Sequence, residues 1–173
     1  MNRKIKSLLV SILAVFALST HGLSQRIAYV DLNEVLSSMD DYNQAQEELD
    51  AIAEKWRQEI NQDYDKIKGL YNKYQAEQVL LSDEAKSKQE NEIMDLEKKV
   101  RDMQRKRFGP EGDLFRKREE LVTPIQEKIF DAVEDYASER GYDFIFDKNS
   151  ATGMLFGNPR FDKTSDLINR LKE

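Results

Sequence analysis

Cysteine is absent from the 173 residues, and histidine occurs once, at His21. Without cysteine there is no disulfide to staple a fold, no thiolate nucleophile and no cysteine-based zinc site. The lone histidine lies in an amino-terminal segment that reads as removable, so His-dependent triads and His-ligated metals are excluded as well. Only carboxylates, Lys, Ser, Thr and Tyr remain for chemistry. The glycines are too scattered to build a GxxxxGK phosphate loop, so nucleotide-driven work is excluded. No apolar run spans a bilayer: residues 8–18 make an apolar stretch of eleven, against the roughly 20 that a spanning helix needs.

That short run follows Arg3, Lys4 and Lys6 and precedes small and polar residues, the layout of a secretory signal peptide over 1–24. Cleavage is expected after Ser24, with Gly22 and Ser24 as the small residues three before and one before the cut. Removal takes three cations and no anions from the 27 Lys plus Arg, so 24 face 33 Asp plus Glu and the formal charge becomes −9. An acidic chain with no basic patch interleaved with aromatics is not built for nucleic acid. The expected compartment is the periplasm.

The segment RIAYVDL alternates with period two and reads as a strand. From Asp40 the period changes. Tyr42, Ala45, Leu49, Ile52 and Trp56 recur at three and four, and after a four-residue stutter the seam resumes as Ile60, Tyr64, Ile67, Tyr71 and Tyr74. Two apolar positions in seven make a stripe too narrow for a globular core; it suits a helix that touches one neighbour and otherwise stands in water. Ser82 is an N-cap followed by Asp83 and Glu84, so a second helix starts there, with Ile93, Leu96, Val100 and Met103 as its seam. The predicted element is an antiparallel hairpin over 40–122 with its tip near 79–83, an arm on the order of 60 Å long.

Gly109, Pro110 and Gly112 interrupt the return and predict a kink or hinge. Pro124 is read as only bending the helix, and Gly141 as its left-handed cap. Two more strands, around Phe144 and Phe146 and over 154–156, precede a last helix capped by Thr164 or Ser165. The predicted class is α+β and mostly α: residues 25–39 and 123–173 supply a small β body, and the hairpin projects from it. Three strands leave two open edges, which self-association would close.

The order of RIAYVDLNEVL, the return LLSDEAKSKQENEIMDLEKKV, the segment LVTPIQEKIFDAVEDYASERGYDFIFDK and the closing GNPRFDKTSDLINRLKE resembles the Skp (OmpH) family of periplasmic chaperones over essentially the whole chain after the signal. The resemblance implies a homotrimer with a β body and three helical tentacles around a cavity, binding unfolded outer-membrane proteins without cofactor or nucleotide. Well-known members are strongly basic; this chain is acidic, so steering by net charge does not carry over.

Val79, Leu80 and Leu81 at the tip, with Tyr71 and Tyr74 below it, are the candidate client-binding residues. The tip trio is also readable as a plug closing the turn, and the tyrosines as helix-pair packing. Ile27, Tyr29, Val30, Phe144, Phe146 and Leu155 are the candidate oligomer contacts. Lys98, Lys99, Arg101, Arg105, Lys106 and Arg107 form a basic stretch with two readings, a solvated face paired with the other helix or a weak docking site for anionic lipid or acidic client segments. The pairs Asp40-Asp41 and Glu119-Glu120 lack a nucleophile or pocket nearby, so no enzymatic role is expected. The competing function is a structural coiled-coil spacer of the envelope with no affinity for unfolded chains.

Overall fold

The computed structural model describes residues 25–150 and 153–172; the expected signal peptide and its cleavage site lie outside the described residues. Strand β1 (Ile27–Val30) stops sooner than the alternation through Leu32 predicted. Asp31 ends it: its carboxylate accepts the Glu34 amide at 3.1 Å and caps α1 (Leu32–Ser37), a helix not foreseen from the sequence. Helix α2 (Asp40–Glu77) runs outward and α3 (Asp83–Phe108) returns. Helix α4 (Asp113–Arg140) continues towards the body with Pro124 accommodated inside it. Gly141 closes α4 in the left-handed region (φ 65°, ψ 43°), and the Tyr142 amide reaches back to the Ala137 carbonyl at 2.9 Å. Strand β2 (Phe144–Asp147), a single turn of 3-10 helix (Pro159–Phe161) and α5 (Thr164–Leu171) complete the described chain.

The fold is mostly helical, with a two-stranded parallel sheet in which Ile27 pairs with Phe144 and Val30 with Asp147. The expected strand at 154–156 does not form. The other edge of β1 is already occupied, by a bridge from Tyr29 to Asp162 and a bond from the Lys163 amide to the Tyr29 carbonyl at 2.9 Å. The chain before it crosses over the Tyr29 ring instead, so closely that a Cβ on Gly157 would stand 2.5 Å from a ring carbon.

The body core joins Val30, Val35 and Met39 to Ala45 of α2, Ile125 and Ile129 of α4 and Leu167 of α5, with Val35 and Leu167 fully buried. Helix α5 is fastened to α4 by polar contacts around this core. Arg170 donates to both carboxylate oxygens of Glu139, at 2.6 and 2.7 Å, and the Tyr136 hydroxyl donates to Asp166 at 2.7 Å. Burial, then this bond to Asp166, pushes the Tyr136 hydroxyl well above its ordinary pKa. The expected cap of α5 is corrected. Lys163 holds the N-cap position without a side-chain bond, while the Thr164 hydroxyl accepts the Asp31 amide at 2.9 Å and donates to Asp162 at 2.6 Å. Thr164 therefore ties α5 to the end of β1.

Hydrogen bonding from Arg170 holds the Glu139 carboxyl below its ordinary pKa. A lowered folded pKa stabilises above the unfolded value, and the contribution is lost as pH falls through the folded one. Glu139→Gln is expected to lower the melting temperature at neutral pH, with the gap to the natural protein closing on acidification. Thermal melts across that range check this; a gap independent of pH would reject the clamp.

Candidate functional site: the helical arm

The arm begins with α2, whose 38 residues extend about 57 Å at ~1.5 Å per residue. Its far half packs on α3 through Ile60, Ile67, Ile93 and Val100, with Leu70, Tyr74, Leu96, Met103 and Phe108 partly buried against them. Nearer the body, Leu49 and Ala53 are buried, and Ala53 takes the inward position expected for Ile52. Tyr64 and Tyr71 leave the seam and are exposed. Tyr74 stays partly buried and donates its hydroxyl to Glu90, which raises its pKa. Of the two tyrosines proposed to meet a client, Tyr71 is accessible and Tyr74 is engaged within the arm.

At the tip, the Ser82 hydroxyl accepts the Ala85 amide at 3.3 Å and caps α3. Val79 and Leu80 are 84% and 85% exposed, while Leu81 is partly buried. The plug reading therefore applies at most to Leu81. Val79 and Leu80 stand outside the arm's hydrophobic cluster, which reaches no nearer the tip than Tyr74.

The interruption at 109–112 is a tight joint rather than a loose linker. The Gly109 amide bonds the Arg105 carbonyl at 2.8 Å, and the Gly112 amide bonds the Gly109 carbonyl at 2.9 Å. A Cβ on Gly109 would collide with the Arg105 carbonyl; one on Gly112 would lie 2.8 Å from the carbonyl oxygens of both Lys106 and Gly109. Both glycines have ordinary φ, −69° and −70°, so close approach is what demands them. The positive φ of the joint, 56°, falls on Glu111. On the distal side the joint is held to α2: Arg107 stands 4.3 Å over the Trp56 ring, Phe108 meets the edge of that ring at 6.1 Å, and Arg107 pairs with Glu59 at 3.6 Å.

Of the basic stretch, Arg107 pairs across to α2 and Arg101 pairs with Glu97 of its own helix at 3.3 Å. Lys98, Lys99, Arg105 and Lys106 make no ion pair among the described residues. Among the described residues of this stretch, Arg107 alone makes the expected ion pair with the other helix.

In the body, Tyr29 and Val30 are buried within their own chain. Ile27, Phe144 and Phe146 are exposed, the two phenylalanines stacked at 6.1 Å, and Leu155 is 100% exposed. Phe115, Phe130, Phe156 and Phe161 are exposed as well. The sequence reading did not single these out, because an aromatic at helical or strand spacing looks the same whether it faces inward or outward. Among the described residues no group of ligating side chains could hold a metal ion, and no helix is long and apolar enough to cross a membrane.

Comparison with known proteins decides the family. Residues 26–171 match the family described as "Outer membrane protein (OmpH-like)". The chain belongs to the OmpH-like family. This OmpH-like chain is 31% identical over 150 residues to an uncharacterized protein of Aquifex aeolicus (strain VF5), covering 87% of this chain and 88% of that one. Its fold is similar to a crystal structure from Caulobacter crescentus CB15 described as "a putative outer membrane chaperone (OmpH-like)", with a TM-score of 0.71, 11% identity and 88% of each chain covered. The OmpH-like family is one of non-enzymatic proteins.

The joint geometry makes two opposed substitutions informative. Gly112→Ala is expected to destabilise the arm by about 1–3 kcal/mol through overpacking. Glu111→Gly relieves a left-handed residue and should be neutral or stabilising, by up to about 1 kcal/mol. Urea unfolding of both variants checks the pair, and tolerance of Gly112→Ala would contradict the close approach.

Proposed function

We propose that this OmpH-like protein is an ATP-independent holdase of the periplasm, a homotrimer that binds unfolded outer-membrane β-barrel proteins and keeps them soluble until insertion. The observation that carries the reading is the tip. Val79 and Leu80 are held far from the body on a packed arm that does not use them for its own stability. Burying one such side chain contributes roughly 1.5–3 kcal/mol, and several weak contacts presented together hold a long chain through effective concentration. The fold shared with a protein described as an outer membrane chaperone supports the same assignment.

Trimerisation rests on the body. The outer edge of β2 pairs with no strand among the described residues, and Ile27, Phe144, Phe146 and Leu155 lie exposed around it. Edge pairing or packing of further copies would cover both. The joint at Gly109, Pro110 and Gly112 is the pivot about which an arm would adjust to clients of different size. Lys98, Lys99, Arg105 and Lys106 of α3 would add weak contacts to acidic client segments or anionic lipid headgroups. A spacer or tether is favoured by the packed seam and the Trp56 clamp, both of which stiffen the arm, but it gives the apolar tip no task.

Light scattering from a urea-unfolded barrel protein diluted into buffer, with and without residues 25–173 and no nucleotide, tests the proposal. Suppression near one trimer per client is expected. Changing Val79 and Leu80 together to Ser should weaken client retention while leaving the melting temperature nearly unchanged. Unaltered aggregation beside folded, oligomeric protein would favour the spacer.

A further inference from the structure

The break between α3 and α4 leaves an opening in the arm. No helical turn covers α2 over residues 109–112. The result is a cleft of about 550 Å³ against α2, within the ~300–1,000 Å³ typical of clefts that take small organic groups. Leu49 and Ala53 of α2 line it, with Phe108, Leu114 and Phe115 from the two sides of the joint. Phe115 is 47% exposed, an aromatic that the arm leaves largely outside its own core.

Charge marks the same place. Residues 98–118 carry nine Lys or Arg against Asp102, Glu111 and Asp113, in a chain whose total is negative. Arg118 lies at the cleft and makes no ion pair among the described residues. Arg57, also at the cleft, has an exposed pair with Glu54 at 3.4 Å, an exchangeable contact. Asp50 and Glu111 share the rim and equal Arg57 and Arg118 in number, so selectivity rests on Arg118, the unpaired one of the two arginines. The strained backbone of Glu111 sits on that rim too.

We propose that the cleft at the α3–α4 joint is a subsite that seats one aromatic side chain of an unfolded polypeptide whose neighbouring carboxylate pairs with Arg118. The inference rests on the holdase reading and deepens it. It supplies a local solution for an acidic protein holding acidic clients: affinity comes from one apolar cleft per arm with an unpaired arginine at its rim, instead of from net charge. Stacking against Phe115, with the partly buried Phe108 and Leu114 beside it, provides the apolar part. The charge pair at the rim sets which aromatic segments are preferred.

The test is fluorescence anisotropy with a labelled, extended peptide carrying one Trp flanked by Asp, against matched peptides with Trp→Ala or Asp→Asn. Arg118→Glu and Phe115→Ala are each expected to weaken the parent peptide about fivefold, while Lys68→Glu, an equal charge change elsewhere on the arm, changes it less than about twofold. The Arg118→Glu effect should vanish with the Asp→Asn peptide and the Phe115→Ala effect with the Trp→Ala peptide. Arg118 is exposed and unpaired, so its variant folds irrespective of the outcome with Phe115. Equal losses for Arg118→Glu and Lys68→Glu, or no loss in either cleft variant, would overturn the proposal. Aggregation assays on the same samples separate the two readings. Suppression by the natural protein with indifferent cleft variants removes the subsite alone, whereas specific peptide binding without suppression keeps the subsite and removes the holdase.

Discussion

Parallel strands cannot be joined by a tight turn, and the pairing of Ile27–Val30 with Phe144–Asp147 is parallel. The connection between them must leave one end of the sheet and return to the other, and in this chain the connection is α1 together with the whole arm and its return to the body, residues 31–143. Everything else depends on that pairing. It brings the two ends of the chain together, sets α2 and α4 side by side at the body, and directs the long helices away from it. The small core of Val30, Val35, Ile129 and Leu167 makes the pairing stable by sealing one side of it. Thr164 then secures the last helix to β1 through the Asp31 amide.

The arm obeys a different economy of surface. A seam of Ile60, Ile67, Ile93 and Val100 is enough to hold two helices together, and it leaves most side chains in water. Exposed ion pairs within one helix, such as Arg57 with Glu54 or Arg101 with Glu97, add little individually. Stability is therefore concentrated in the body and along the seam, and diminishes towards a tip whose apolar residues are solvated. That gradient is the physical condition for a working surface that can change partners without unfolding its scaffold.

The joint at 109–112 combines features that sequence would place in opposition. Two glycines and a proline read as looseness, yet the glycines are present because the backbone packs too closely for a Cβ, and Trp56, Arg107 and Phe108 hold the distal side to α2. The break still changes the arm, because it leaves a cleft lined by Phe108, Leu114 and the exposed Phe115 beside the unpaired Arg118. A local interruption in one helix thus becomes a concavity along the arm.

Several properties were legible in the residues alone. The change from period two to a three-and-four spacing at Asp40, the cap at Ser82, the break at Gly109 and the left-handed cap at Gly141 are local, because each depends on side chains within a few positions. The absence of cysteine excluded disulfides and thiolate chemistry with no structure needed. Tertiary structure decided what depends on residues distant in the chain. It made the strand pairing parallel, gave the second edge of β1 to Asp162 and Lys163 in place of 154–156, and chose Ala53 over Ile52 for the seam. It also separated Tyr71 from Tyr74 and Val79 and Leu80 from Leu81, pairs that look alike in sequence. The reason is common to all of these: spacing determines which residues share a face, but only the neighbour that arrives from elsewhere in the chain determines whether that face is covered.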